Sequence, residues 1–404
     1  MPGADQVSVV TPSSGALPAL DSDSSVAELV NGNRTLPSHW YTSAEIFERE
    51  RNSIFRRAWD YVGPAERLQR PGDYFTCEVA GVPVVVVRGK DGVVRGFLNI
   101  CRHRHHPVAS GSGHCSTFVC KYHAWSYRLD GSLLAATRSN EDSRFDGSKL
   151  GLSPVAVELW GDMVYVNLAP DPPPLGQVLG AARTLAYQRG LPFDTARFRG
   201  GGSLVFDANW KIVWDNNCEC YHCPTVHNAW FKQVRLDPKH YWDRQVGPYQ
   251  FEFQLDQYES GPSTYAYFIW PATFFMSANL LPPLEDPRRT PVSGTGVTDL
   301  PPVTSSYITF RFVPLAPTST RLEVDVFDVE PLTEAELKQR LDAVLDIVDE
   351  DRSVCNLVQA AHQTGMAEPG TLISAIDSEH HTLVWEKLVY RSLVSPEIPL
   401  YDPP

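Results

Sequence analysis

The sequence predicts an α+β protein in which an all-β module precedes an antiparallel sheet with helices packed on it. Three observations carry this expectation. From about residue 58 to 170, short apolar runs alternate with glycine-containing turns and show no helical period. After the proline-rich link APDPPPL, Ala169 to Leu175, strand-like runs mix with long amphipathic stretches. A chain of 404 residues, 43% hydrophobic, is long enough for two cores.

Residues 1–34 are rich in Ser, Gly, Pro and Asp without a sustained period and are expected to be mobile or draped over the surface. Residues 35–57 hold SAEIFERERNSIF, a short amphipathic helix capped by Ser43, with Ile46, Ile54 and Phe55 on its apolar side. The 58–170 module contains VPVVVV (Val82 to Val87) before an Asp91-Gly92 turn. It also contains Tyr127-Arg128-Leu129 entering Asp130-Gly131, and LWGDMVYVNL around Gly161-Asp162. In 171–404, strands are expected at 203–207, 249–257, 264–270, 306–313 and 321–329, and helices at about 209–222 and 333–364. The stretch 281–302 is a long loop of turn formers, a lid or a disordered segment.

A net charge of −13 disfavours a general nucleic-acid role, because such surfaces are basic. There is no apolar run of membrane-spanning length, and the first thirty residues lack the features of a signal peptide, so no membrane role and a cytoplasmic location are expected. Eight cysteines are too few for a disulfide scaffold and are expected to be reduced. Their grouping at 101, 115, 120 and at 218, 220, 223 points to metal chemistry or reactive thiols.

The stretch CRHRHHPVASGSGHCSTFVCKYH, Cys101 to His123, places one thiolate and one imidazole on each of two loops. Such a set holds either one zinc ion or a two-iron cluster with thiolates on one iron and imidazoles on the other. The surrounding module has apolar strands of its own, so metal is not needed merely to fold it. A second group follows in NWKIVWDNNCECYHCPTVH, Asn209 to His227. On an unbroken helix His222 and His227 would point about 140° apart, but Pro224 breaks the helix and allows them to converge. The third donor is sought on the helix opened by a Thr333/Glu336 capping box. Its apolar stripe runs through Leu337, Leu341, Val344, Val348, Cys355 and Val358 and includes Asp351. A carboxylate there must be paired or bound to metal, whereas Asp346, Asp349 and Glu350 read as solvated. Two histidines and one carboxylate are the donor set of a mononuclear iron with open positions.

CRHR followed by CKYHAWSYRLDG resembles the Rieske [2Fe-2S] motif of the Rieske non-haem iron oxygenases, and ECYHCPTVH with EDRSVCNLVQ resembles that family's iron site. The resemblance covers about residues 36–397. It implies a Rieske [2Fe-2S] domain over 58–170 and a helix-grip-like catalytic domain over 171–404. By the same match Cys101 and Cys120 would hold one cluster iron, with His103 and His123 on the other. His222, His227 and Asp351 would hold the mononuclear Fe(II), and Glu219 would be the carboxylate bridging cluster and iron between subunits of a homotrimer. Cys115 falls outside both cluster pairs, and the histidine at 106 fits the oxygenase branch rather than the respiratory one.

The family implies O2 as co-substrate and electrons from NAD(P)H through a ferredoxin or a flavin reductase. Arg102, Arg104, His105 and Lys121 would make a docking patch for an acidic donor. ECYHCPTVH looks most like members that demethylate quaternary ammonium compounds such as glycine betaine or stachydrine, and natural-product hydroxylases share similar text. A pocket is expected from Asn217 and, in TYAYFIWPATFF, from Tyr265, Tyr267, Trp270 and Phe274, since aromatic faces attract quaternary cations. The competing readings are a ring-dihydroxylating α subunit with a companion β subunit and a non-enzymatic zinc-binding interaction protein.

Overall fold

The computed structural model describes residues 24–227, 234–235, 241–257, 263–277, 305–373 and 379–401. The expected mobile residues 1–23 and the whole 281–302 loop lie outside the described residues. Residues 24–34 depart from expectation. Ser24–Asn31 form helix α1, because Val26 and Val30, one turn apart, give the polar segment an apolar side that is fully buried. Behind it Arg34 donates to the Gly370 carbonyl at 2.8 Å. Helix α2, Ala44–Glu50, starts where Ser43 Oγ accepts from Ile46 N and runs into a single wider π turn, Arg51–Phe55.

The next module is built on a seven-stranded antiparallel sheet in the order β1-β10-β9-β4-β3-β2-β5. Here β1 is Asp60–Pro64, β2 Asp73–Val79, β3 Val82–Arg88, β4 Val94–Leu98, β5 Ser112–His114, β9 Pro154–Trp160 and β10 Met163–Asn167. A small sheet of β6 (Phe118–Val119), β7 (Ser126–Tyr127) and β8 (Leu133–Ala135) carries the second cysteine–histidine loop at one end.

After helix α3, Leu175–Gln188, comes a second antiparallel sheet ordered β11-β18-β17-β16-β15-β14-β12, with β13 paired to β14. Its strands are β11 Arg197–Phe206, β12 Val234–Arg235, β13 Tyr241–Gly247, β14 Gln250–Gln257, β15 Thr264–Ile269, β16 Thr273–Ser277, β17 Ser306–Ala316 and β18 Ser319–Asp328. Both faces are buried. One receives helices α4 (Trp210–Asn217), α6 (Glu334–Gln363) and α7 (His380–Val394), through Trp214, Val344, Val348 and Trp385. The other meets the first sheet and α3 through Tyr61, Trp160, Tyr165, Leu179, Phe193 and Phe275. Polar ties cross the same junction. Arg311 grips both oxygens of Asp60 at 2.9 and 2.6 Å, and Tyr61 Oη donates to Asp325 at 2.6 Å.

Helix α6 positions the later site. Its capping box is formed as the sequence requires, and its buried stripe is Arg340, Val344, Val348, Asp351, Cys355 and Gln359. Two turns beyond Asp351, Gln359 accepts from Asn209 N at 2.8 Å and donates to the Tyr41 carbonyl. Asn209 is also the N-cap of α4, its side chain accepting from Lys211 N. The start of α4 is therefore pinned to α6, which fixes how the helix leading into the histidine turn approaches the helix that carries Asp351.

Candidate functional site

The two cysteine–histidine loops have the same backbone design. Cys101 N donates to His106 O and His105 N to Cys101 O; likewise Cys120 N donates to Trp125 O and Ala124 N to Cys120 O. Each loop closes through a left-handed residue, His105 (φ 61°) and Ala124 (φ 59°). Both cysteines are sealed inside, 1% and 2% exposed, while His103 is exposed and His123 half-buried. The rings of His103 and His123 lie 4.7 Å apart, and His103 stacks on Trp125 at 4.8 Å. Tyr127 Oη accepts from Arg102 N at 2.9 Å, so its proton is available to Cys101 Sγ, 3.1 Å away. The loops thus present thiols inward and imidazoles to the surface. His123 Nδ1 is buried with no hydrogen-bond partner, a donor atom shaped for a ligand rather than for the protein.

The second group converges where α4 ends. α5, Cys223–Val226, is one short turn with Pro224 in its first turn, and it brings His222 and His227 back against each other with Nε2 atoms 3.3 Å apart. Asp351 Oδ1 stands 3.3 Å from His222 Nε2 and 3.1 Å from His227 Nε2. Three donors at these spacings can share one ion at about 2.0–2.2 Å. Behind each ring stands a carboxylate: Glu219 Oε1 is 2.6 Å from His222 Nδ1, and Glu350 Oε2 is 2.8 Å from His227 Nδ1. With both Nδ1 atoms donating outward, both Nε2 lone pairs face Asp351, the orientation that metal-binding imidazoles adopt. Glu219 is itself held, accepting from Tyr221 N and His222 N.

Electrostatics agree with a site made for a cation. Burial lowers the His222 pKa, but the Asp351 and Glu219 carboxylates outweigh it and lift the group to about 9. Burial also lowers His227, and there Asp351 and Glu350 outweigh it and raise the group. Asp351 moves down: burial raises it, and the two imidazoles more than reverse that. A metal binding here would displace the protons that these carboxylates favour on the two imidazoles.

A cavity of about 140 Å³ opens beside the triad. Phe253, Phe268, Phe274, Met276, Ile308 and Phe310 form its apolar wall, and Asn217, Glu219 and Ser277 supply polar atoms. Asn217 and Phe274 stand where the sequence places them. Tyr267 and Trp270 do not. On β15 alternate residues face opposite sides: Ala266 and Phe268 look toward the cavity, while Tyr265 and Tyr267 look toward the first module. Tyr267 Oη is spent on Glu252 at 2.9 Å, and Trp270, past the strand end, stacks on Trp385. Glu350 is solvated as the sequence reads it, but it is also a partner of His227. Its side chain stays 44% exposed, so burial offers no signal for it; adjacency to Asp351 is the only one. Finally, Cys220 and Cys223 are paired in a disulfide with Cα atoms 4.9 Å apart, against the expectation that all cysteines are reduced.

Comparison with known proteins matches residues 58–146 to the Rieske [2Fe-2S] domain and residues 193–389 to the catalytic domain of ring-hydroxylating α subunits. The chain is 34% identical over 254 residues to the carnitine monooxygenase oxygenase subunit of Acinetobacter baumannii, covering 60% of this chain and 67% of that one. It is 34% identical over 210 residues to the glycine betaine monooxygenase oxygenase subunit of Chromohalobacter salexigens, covering 52% of this chain and 46% of the relative. Among solved structures, a quaternary ammonium Rieske monooxygenase in complex with L-carnitine superposes with a TM-score of 0.76 at 26% identity, over 90% of this chain and 98% of that one. Naphthalene 1,2-dioxygenase from Rhodococcus shares the fold at 16% identity, with a TM-score of 0.74 over 92% and 97% of the two chains.

Proposed function

Because the chain belongs to the Rieske non-haem iron oxygenases, as an α subunit with a Rieske domain and a ring-hydroxylating catalytic domain, we propose that it oxidatively demethylates a small N-methylated cation. The family uses a [2Fe-2S] cluster, a mononuclear iron, O2 and electrons supplied by a separate protein. When bound, these metals deliver electrons one at a time and activate oxygen beside the substrate. We assign Cys101, His103, Cys120 and His123 to the cluster and His222, His227 and Asp351 to the iron.

The observation that carries the reading is the triad facing a wall of phenyl rings. Phe268 and Phe274 stack in parallel at 4.5 Å, and Phe274 and Phe310 at 4.7 Å. Stacked on one another, the rings give the cavity an apolar wall for an N-methyl head, and an outer ring face open to it would add about 0.5–2 kcal/mol toward a quaternary ammonium. The size of the cavity supports a small substrate head: about 140 Å³ is close to the roughly 150 Å³ of an engineered cavity that takes benzene. A trimethylammonium head is of a size with this volume. Attack on an N-methyl C–H consumes O2, two electrons and two protons and gives a hemiaminal plus water; the hemiaminal then releases formaldehyde and the demethylated amine. The apolar wall excludes water from this volume and turns a methyl group toward the triad.

Glu219 serves as the bridge between subunits. Its loop reaches the surface at Tyr221, 59% exposed, and the cluster histidines are on a surface of their own. A head-to-tail homotrimer would bring one protomer's His103 and His123 against its partner's Glu219. Exposed Arg102, Arg104 and Lys121 around the cluster would receive an acidic ferredoxin or flavin reductase. The experiment is O2 uptake and formaldehyde release with a surrogate reductase on glycine betaine, choline, carnitine, γ-butyrobetaine and naphthalene. Formaldehyde in step with O2 from a quaternary amine is expected. A cis-diol from naphthalene with no formaldehyde from any amine would sink the reading in favour of a dihydroxylase.

A further inference from the structure

The cysteines in ECYHC have no part in the reaction above, yet they bracket its most constrained residues. Cys220 directly follows Glu219, and Cys223 directly follows His222. The two are joined in a disulfide that closes a four-residue ring over Tyr221 and His222. Both are buried, at 6% and 4% exposed, and both line the cavity. A second observation is independent of the pairing: Cys223 Sγ and one donor nitrogen each from His222 and His227 lie within 4.8 Å of one another. The six other cysteines among the described residues are free thiols. The oxidised pair therefore stands at the candidate iron site.

We propose that Cys220–Cys223 is a redox switch on the iron site. In the disulfide the Cys223 sulfur is bonded to Cys220 and cannot act as a thiolate donor, which leaves the open positions facing the cavity free. In the dithiol form Cys223 is released beside His222 and His227 and becomes a fourth protein donor. A thiolate is a good ligand for a first-row divalent metal already held by imidazoles, so the reduced form closes a position that substrate chemistry needs. Disulfides in reducing compartments are characteristically transient or redox-sensing.

The chemistry balances with hydrogen peroxide, the product when O2 is reduced by two electrons without substrate attack. The two S–H bonds and the O–O bond break, one S–S bond forms, the sulfurs lose two electrons, and two waters leave. A small dithiol or a dithiol protein reverses the step, supplying two electrons and two protons while becoming a disulfide itself.

The switch rests on His222 and His227 being the ligands, and the test separates the two ideas. The full chain with its cluster intact is depleted of mononuclear iron by a chelator, reloaded with Co(II), and studied at the cobalt K-edge, which does not see the cluster. Peptide mapping after alkylation reports the state of the cysteines. Peroxide-treated protein is expected to show a linked 220–223 pair and only nitrogen and oxygen around cobalt; dithiothreitol-treated protein is expected to add sulfur. Cys223→Ser should abolish the sulfur signal, and Cys220→Ser should show it without reductant. A reduced wild type with no cobalt–sulfur scattering, or a pair that stays alkylatable after peroxide, would overturn the switch. Loss of imidazole scattering in both states would overturn the ligand assignment beneath it.

Discussion

Glu350 is the sharpest place to test the iron-site reading, because nothing but its contact with His227 distinguishes it from an ordinary surface carboxylate. Glu350→Gln keeps the size and an acceptor oxygen and removes the charge. The bond to His227 Nδ1, 2.8 Å long, then falls from a charge-assisted to a neutral hydrogen bond. Such bonds differ by about 1–1.5 kcal/mol, or about tenfold in metal affinity. The 44% exposure of the carboxylate places the effect at the lower end of the about 10–100-fold cost of losing an outer carboxylate. Glu219→Gln belongs at the upper end: its side chain is only 11% exposed and serves Tyr221 N, His222 N and His222 Nδ1 together. Competition of Co(II)-loaded protein against a calibrated chelator would measure both, with cluster absorbance as the internal control. Raising the salt should shrink the Glu350 effect more than the Glu219 effect, since the exposed charge is screened. If Glu350→Gln held cobalt within twofold of wild type at low salt, a carboxylate behind His227 would have no bearing on the metal, and the paired arrangement would be coincidence.

Three further outcomes are expected. Tyr127→Phe removes a hydroxyl beside Cys101 Sγ; a hydrogen bond worth about 1.5 kcal/mol to a charged sulfur corresponds to about 65 mV for one electron. Because that bond favours the more negative reduced state, protein-film voltammetry should find a lower cluster potential, and an unchanged or higher one would contradict the donor assignment. Glu386, buried beneath Tyr41, has its carboxyl pushed up to about 7 by burial, with the Tyr41 hydroxyl partly opposing. A raised carboxyl stabilises the fold below its unfolded value near 4.5, and that contribution, on the order of 3 kcal/mol, is lost as pH rises through about 7. Glu386→Gln should therefore flatten the pH dependence of Tm between about pH 4.5 and 7, and an unaltered slope would place the titration elsewhere. Phe268→Leu keeps apolar volume but removes one π face, so KM for a quaternary cation should rise roughly twofold to thirtyfold. KM for the neutral tert-butyl isostere of the same substrate should stay put, and equal rises for both would make the wall merely hydrophobic.

The limits of the sequence follow from which constraints are local. The cluster loops were legible because Cys-x-His and Cys-x-x-His fix residue type and spacing within a few positions. Asp351 was legible because a carboxylate on a buried stripe violates a strong period. The cavity wall was not legible, for an opposite reason. Every residue of β15 is buried, so the alternation that normally marks the inner face carries no polar counterpart, and Tyr267 and Phe268 look equally qualified. Only the pairing of β15 with β14 and β16, and the helices laid over one face, decide that Phe268 meets the cavity. α1 hid in the same way, since two valines one turn apart mean nothing until α7 offers them a surface. The Cys220–Cys223 pair adds a third kind of ambiguity. Its spacing is equally compatible with two thiols, a disulfide or a ligand beside His222, and redox state rather than sequence selects among them. The geometry that brings Cys223 near His222 and His227 is set by the same Pro224 turn that makes the two histidines converge. In this chain that turn leaves the Cys223 sulfur within 4.8 Å of a donor nitrogen of each imidazole, so the bond to Cys220 determines whether the sulfur is free to coordinate.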